Sequence, residues 1–212
     1  PDRLIGKVLS SFVSELKPGT AVIMLDAAAP YAGELPKRED ITYFVAHPCH
    51  PPLFNDETEM AAKQDYFGGV AAKQHIICSL DQGPEEHYQI CEDIARAFYA
   101  PVMRAHRCTT AQMVVLEPAL SETVGATFAK ALADATKAAA DRGVPYQAAE
   151  DFLLGHLTIL LAVAFGRVPG GRLSDACLLA IEEAEPMIFK EGWLEKIFEP
   201  ESISASVKSI IR

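Results

Sequence analysis

Ile41-Thr-Tyr-Phe-Val-Ala-His-Pro-Cys-His-Pro-Pro-Leu-Phe-Asn-Asp56 opens as a strand and closes on two histidines. Residues 41–46 are mostly β-branched or aromatic, the composition of a buried strand. His47 and His50 follow at once, each ahead of a proline. In open α/β sheets ligands bind beyond the carboxyl ends of the strands. The two histidines therefore stand where a site is expected, and a neutral imidazole there can accept an alcohol proton.

The flanking sequence supplies the rest of such a sheet. Leu4, Ile5, Val8, Leu9, Phe12, Val13 and Leu16 share one helical face, and Pro18-Gly19 stops that helix. Ala21-Val-Ile-Met-Leu25 is a continuous apolar run, which implies a parallel sheet covered by helices. A long polar connection, residues 47–73, leads to the strand His75–Leu80. Pro84 with Glu85-Glu86 opens a helix reaching about Tyr99, with Tyr88, Ile90, Cys91, Ile94, Ala95 and Phe98 inward. Pro101–His106 is a fourth strand. This order predicts an α/β domain over 1–108.

From 109 the pattern is all-α through 212. Thr109 or Thr110 caps a long helix reaching Arg142, with Pro118 kinking or breaking it and Gly143 ending it. Further helices run from Pro145 to Phe165, from Ser174 to about Ile188, and in pieces from Trp193 to Arg212. The stretch Phe152–Phe165 is apolar nearly all round, so it needs cover on every side and predicts a homodimer. It falls short of the roughly 20 residues that span a bilayer, so no membrane partner is expected.

Half of the 212 residues are apolar, enough for a sizeable core, and the net charge is −10. An acidic chain without a Lys/Arg cluster repels phosphate backbones, which excludes nucleic acid as an expected partner. Five cysteines at wide spacings, with no C-x-x-C, fit a reducing, cytoplasmic setting. They read as small buried hydrophobes, with Cys49, between two histidines, equally open to a reactive role. No signal peptide is evident, and a chain that starts at Pro1 reads as processed or partial.

The stretches AVIMLDAAAP, ITYFVAHPCHP, HIICSL, PEEHYQICEDIARAFYA and PVMRAHR together resemble the back half of the nucleotide domain of prephenate and 3-hydroxyacyl-CoA dehydrogenases. These belong to the wider 6-phosphogluconate-dehydrogenase-like group. DAAAPYAGELP, HPCHPPLFNDET, KQHIICSLDQGPEEHY, LEPALSETV and DFLLGHL are similar to the D-apionate oxidoisomerase branch of that group. The resemblance implies the C-terminal half of a Rossmann-like domain followed by a helical dimerisation domain. It also implies NAD- or NADP-linked oxidation of a hydroxy acid, coupled to rearrangement of a branched sugar acid such as D-apionate. His47-Pro48 matches the family's His-containing signature, whose histidine serves hydride transfer. The chain departs from the family in having no G-x-G-x-x-G turn. The expectation is that roughly 70–80 residues of a nucleotide domain of about 150 are missing. The 212 residues alone should then bind NAD poorly, because the pyrophosphate rests on that turn, and should be inactive.

On this reading His47 is the acid/base, and His50 is a second base, a substrate contact or a metal ligand. Glu117 and Glu122 grip substrate hydroxyls or a divalent metal, since hard cations prefer carboxylates; the alternative is a surface glutamate and a salt-bridge partner. On a straight α-helix they stand about 140° apart, at roughly 100° per residue, unless Pro118 bends the chain. His156 is either a satisfied core histidine or, if a dimer sets its helix against the neighbouring active site, a contact to substrate or metal. Asp26, Ala27 and Ala28, with Ala29, end a strand beside the expected nicotinamide, or form a tight turn only. Lys73 faintly suggests a catalytic lysine, and His75, His87 and His106 read as structural. The competing reading of the chain is a non-catalytic dimerisation or binding module.

Overall fold

The computed structural model describes residues 2–212. Its central strand is β2 (Thr42–Pro48), where Phe44, Val45 and Ala46 are fully buried. β1 (Ala21–Met24) lies parallel on one side of it, and β3 (Gln74–Gln82) lies antiparallel on the other. β4 (Val102–Arg107) runs parallel to β3, giving the order β1-β2-β3-β4. The expected α/β architecture is present, but one of its three pairings is antiparallel. The connections explain this. Parallel neighbours need a crossover, which α4 (His87–Phe98) provides between β3 and β4. The loop from β2 to β3 holds only the four-residue helix α3 (Met60–Lys63), so β3 turns back beside β2.

Phe44, Ala46, Ile76 and Cys78 from one face of the sheet pack on Tyr88, Cys91 and Ala95 of α4. The Phe44 and Tyr88 rings meet edge to face at 5.5 Å. The i, i+3, i+7 spacing of the α4 residues explains the contact. The flanks of the stripe, Ile90, Ile94 and Phe98, stay exposed rather than inward, because one helix meets a sheet along a narrow line. Helix α1 (Ile5–Phe12) likewise buries Leu9, with Val13 just beyond it, and leaves Leu4, Val8 and Phe12 at the surface.

After β4, Thr109 caps α5 (Thr110–Val114). Its hydroxyl accepts the Gln112 N–H at 3.1 Å, and the Gln112 amide oxygen accepts the Thr109 N–H at 2.9 Å, a complete capping box. Pro118, which lacks an N–H, neither breaks nor simply kinks the helix. The chain widens into a π-helical stretch, Val115–Gly125, before resuming as α6 (Ala126–Ala140). Wider turns with i→i+5 hydrogen bonds accommodate the ring.

The chain divides into two compact units, one comprising residues 1–120 with Glu199–Arg212 and the other Ser121–Phe198. The sequence places the boundary near 108. The difference arises because Met113 and Val114 of α5 are buried and α5 packs on β3 and α2 (Ala28–Tyr31). The first helix after the sheet therefore belongs to the sheet. Helix α10 (Pro200–Ile210) also belongs to this unit, burying Ile203 and Val207.

In the second unit α6 packs on α7 (Tyr146–Ala164). α8 (Asp175–Ile188), capped by Ser174, and α9 (Trp193–Phe198) follow. Phe128, Phe189 and Trp193 cluster there, with the last two rings stacked at 4.8 Å. No residue of the 19-residue α7 is buried, and Phe152, Leu154 and Ile159 are more than half exposed. By length and composition alone it is apolar enough to cross a bilayer.

Candidate active site

The parallel pairing of β1 and β2 brings their carboxyl ends together. The Leu25 carbonyl, one residue past β1, lies 3.0 Å from His47 Nδ1. A carbonyl only accepts, so Nδ1 carries the hydrogen and the neutral ring keeps its lone pair on Nε2. Nε2 faces Glu117 Oε1 at 3.3 Å. A proton taken up at Nε2 would be shared with that carboxylate, and a cation could likewise sit between the two acceptors. Both side chains are about a quarter exposed, so the pair is reachable yet partly desolvated.

Asp26 completes the cluster. It is only 6% exposed, and its Oδ1 accepts the Ala28 N–H at 2.5 Å, which fixes the turn into α2. Donor atoms of Asp26, His47 and Glu117 all lie within 4.8 Å of one another. Two carboxylates and one imidazole form a donor set suited to a hard or borderline divalent ion. Asp26, expected as a cofactor neighbour, thus stands with His47 and Glu117. Ala27, Ala28 and Ala29 are buried against the protein.

His50 adopts φ +61°, a left-handed conformation rare outside glycine. Such strain persists where surrounding structure holds it, often at functional sites. Here the His50 Nδ1–H donates to the Phe67 carbonyl at 2.8 Å, and the two rings meet edge to face at 6.0 Å. That carbonyl is held by a turn organised on Asp65, whose carboxylate accepts the N–H groups of Gly68, Val70, Ala71 and Ala72. The backbone bonds, led by those from Ala71 and Ala72, hold the Asp65 carboxyl below the usual range. His50 is anchored with its ring centroid 6.4 Å from that of His47.

Glu122 lies in the second compact unit. Its helical offset from Glu117 is not the 140° of an α-helix. The wider turn of a π stretch brings positions five apart closer round the helix than an α-helix does. His156, also in the second unit, is exposed; its Nδ1 bonds the Phe152 carbonyl at 2.8 Å, and its ring stacks on Phe152 at 4.0 Å. Lys73 pairs with Asp56 at 3.1 Å at the surface. His87 Nδ1 meets the Thr42 hydroxyl at 2.7 Å, a structural contact. His75 lies 5.8 Å from His106, and burial, with the Arg104 charge next, pushes its pKa down. All five cysteines are free; Cys78 and Cys91 are buried, Cys49 is exposed, and Cys108 and Cys177 are intermediate.

Sequence reasoning missed Tyr99. Its hydroxyl donates to the Ala46 carbonyl at 3.0 Å, pinning the backbone just before His47. Burial, then the nearby Cys78 and Glu117 charges, push its pKa up to about 12, so it remains a donor. The one sequence signal was an aromatic carrying a hydroxyl at the end of an otherwise apolar helix face.

A histidine–carboxylate cluster at the carboxyl ends of parallel strands lies where open α/β sheets bind their ligands. Comparison defines the class: residues 55–211 match the family described as phosphogluconate dehydrogenase (decarboxylating), C-terminal, and the chain belongs to that family. Two relatives narrow the branch. A D-apionate oxidoisomerase of Rhizobium rhizogenes is 55% identical, with 99% of this chain and 76% of the relative covered. One from Cupriavidus necator is 51% identical over 99% of this chain and 75% of its own length. A crystal structure described as a semialdehyde dehydrogenase NAD-binding protein from Cupriavidus necator, in complex with calcium and NAD, superimposes with a TM-score of 0.95 at 51% identity. It covers 99% of this chain, which covers 75% of it.

Proposed function

We propose that the chain belongs to an NAD-dependent oxidoisomerase acting on a branched sugar acid of the D-apionate type. The carrying observation is the His47 ring, locked by the Leu25 carbonyl with its lone pair aimed toward Glu117. NAD, when bound, accepts the hydride that leaves the carbinol carbon. His47 Nε2 takes the hydroxyl proton in the same step, and Glu117 stabilises the imidazolium so formed. His50, anchored nearby, is suited to hold a second hydroxyl or shuttle a proton during rearrangement. Asp26, Ala27 and Ala28 fit the nicotinamide end, because their turn carries no bulky side chain up to Pro30. The 212 residues include no glycine-rich turn for the pyrophosphate. The NAD-bound relative supports NAD over NADP. A purely architectural module has no evident use for a half-buried acid/base cluster. Free cysteines support a reducing, cytoplasmic setting.

A second reading rests on the three-donor cluster. A divalent ion on Asp26, His47 and Glu117 would polarise the carbonyl formed by oxidation, and His47 would then be a ligand, leaving proton transfer to His50. This set shares Glu117 with the Glu117–Glu122 pair expected from the sequence. Calorimetric titration with Mg2+, Mn2+ and Ca2+ separates the readings. Under the metal reading at least one ion binds and Asp26→Asn weakens it by about 10-fold or more. Equal binding by both proteins removes the metal role and leaves His47 as the base.

We also propose that α7 is covered by a second copy of the chain. Its apolar exposed face supports this, and Glu150, Asp151 and His156 within it favour a protein partner over lipid. Light scattering after size exclusion should show a dimer that Ile159→Lys converts to monomer. A monomeric wild type, or partition into the membrane fraction, sinks the proposal.

A further inference from the structure

We propose that the cavity between α1, α2 and α10 binds a small, multiply charged oxyanion. It encloses about 550 Å³ within the first compact unit. Arg3 and Lys7 enter from α1 and the turn before it, and Lys208 and Arg212 from α10 and the residues just after it. Among the described residues Glu34 is the one acidic side chain in the lining. This concentrates four cations on one acid, in a chain whose overall charge is −10.

Among the described residues none of the four cations pairs with a carboxylate. Like charges gathered from separate elements repel one another and raise the local concentration of counter-ions. An anion bridging both ends of the unit relieves that repulsion. A Cβ at Gly6 would lie 2.5 Å from the Glu34 carbonyl oxygen, so glycine lets α1 close over the segment after α2. Ser10, which also lines the cavity, donates its hydroxyl hydrogen to the Gly6 carbonyl at 2.7 Å.

Size and charge define the ligand class. The volume lies within the usual range for small-molecule pockets, roughly 300–1,000 Å³, and exceeds what one phosphate fills. A net excess of three positive charges, from the four cations and Glu34, matches a diphosphate or a tricarboxylate. Ala29 lines the wall and sits in the turn that follows Asp26, so an occupied cavity borders the element that shapes the active site.

The test is calorimetric titration of the full-length chain with inorganic pyrophosphate, citrate and orthophosphate at low and high salt. Binding of pyrophosphate, citrate or both is expected, and it should weaken steeply with salt. Lys7→Gln/Lys208→Gln should reduce affinity about 10-fold or more, while His47→Ala leaves it unchanged. These lysines are exposed, and Arg3→Gln/Arg212→Gln provides an independent pair should the first misfold. Binding of pyrophosphate alone assigns the phosphate source, and binding of citrate alone assigns the carboxylate source. No binding by any of the three anions, or full affinity in both double variants, overturns the site. Loss of binding in His47→Ala also overturns it, by placing the anion in the active site.

Discussion

Substituting His47 by alanine should lower turnover of the intact enzyme by at least ~100-fold, the low end for a general acid–base residue. The argument rests on ring orientation. Leu25 fixes the tautomer, Glu117 sits at the reactive nitrogen, and Tyr99 pins the preceding backbone. Alanine removes the proton acceptor while leaving the strand in place. The loss should fall on kcat, with KM little changed, because the interaction grows in the transition state. Added imidazole should restore part of the rate. Glu117→Gln should cost less, since it removes the stabilising charge but not the base. Near-normal turnover by His47→Ala would strip this residue of the role given to it and move attention to His50.

The largest stability effect is expected at Phe44. It is fully buried at the centre of β2 and packs on Tyr88. Truncation to alanine removes an aromatic ring and leaves a cavity that the sheet cannot collapse to fill, at about 3–5 kcal/mol. Against a domain stability of roughly 5–15 kcal/mol, that loss is large enough to leave a substantial unfolded fraction at 37 °C. Phe67→Ala provides the contrast. That ring is 79% exposed, so its loss should change stability by about 0.5 kcal/mol or less. Chemical denaturation of both variants measures the difference, and a Phe44→Ala loss under about 1 kcal/mol would show that this cluster is not the structural centre.

Much of the first unit was legible in the chain itself. The strand 41–46, the histidine at its end, the helix after Pro84 and the cap at Thr109 depend on residues close in sequence. Periodicity, turn residues and caps report directly on such local order. The same signals say that a residue is buried but not what buries it. Ile90, Ile94 and Phe98 share a helical face with Tyr88 and Cys91 yet remain exposed.

The site itself was half legible. His47 and Glu117 carry suggestive surroundings, but the sequence separates them by seventy positions. Their 3.3 Å approach comes from α5 lying against β3 and α2 and from the π stretch that carries the helix past Pro118. Asp26 reads as one end of a small-residue turn until the parallel pairing of β1 with β2 sets it beside His47. The antiparallel turn of β3 and the return of α10 to the first unit are likewise properties of packing. Amino-acid order determined which segments become strands and helices, and that a histidine ends one of them, because those outcomes follow from neighbours along the chain. Only the tertiary structure decided which carboxylates meet that histidine, because contact between distant segments depends on how whole faces fit together.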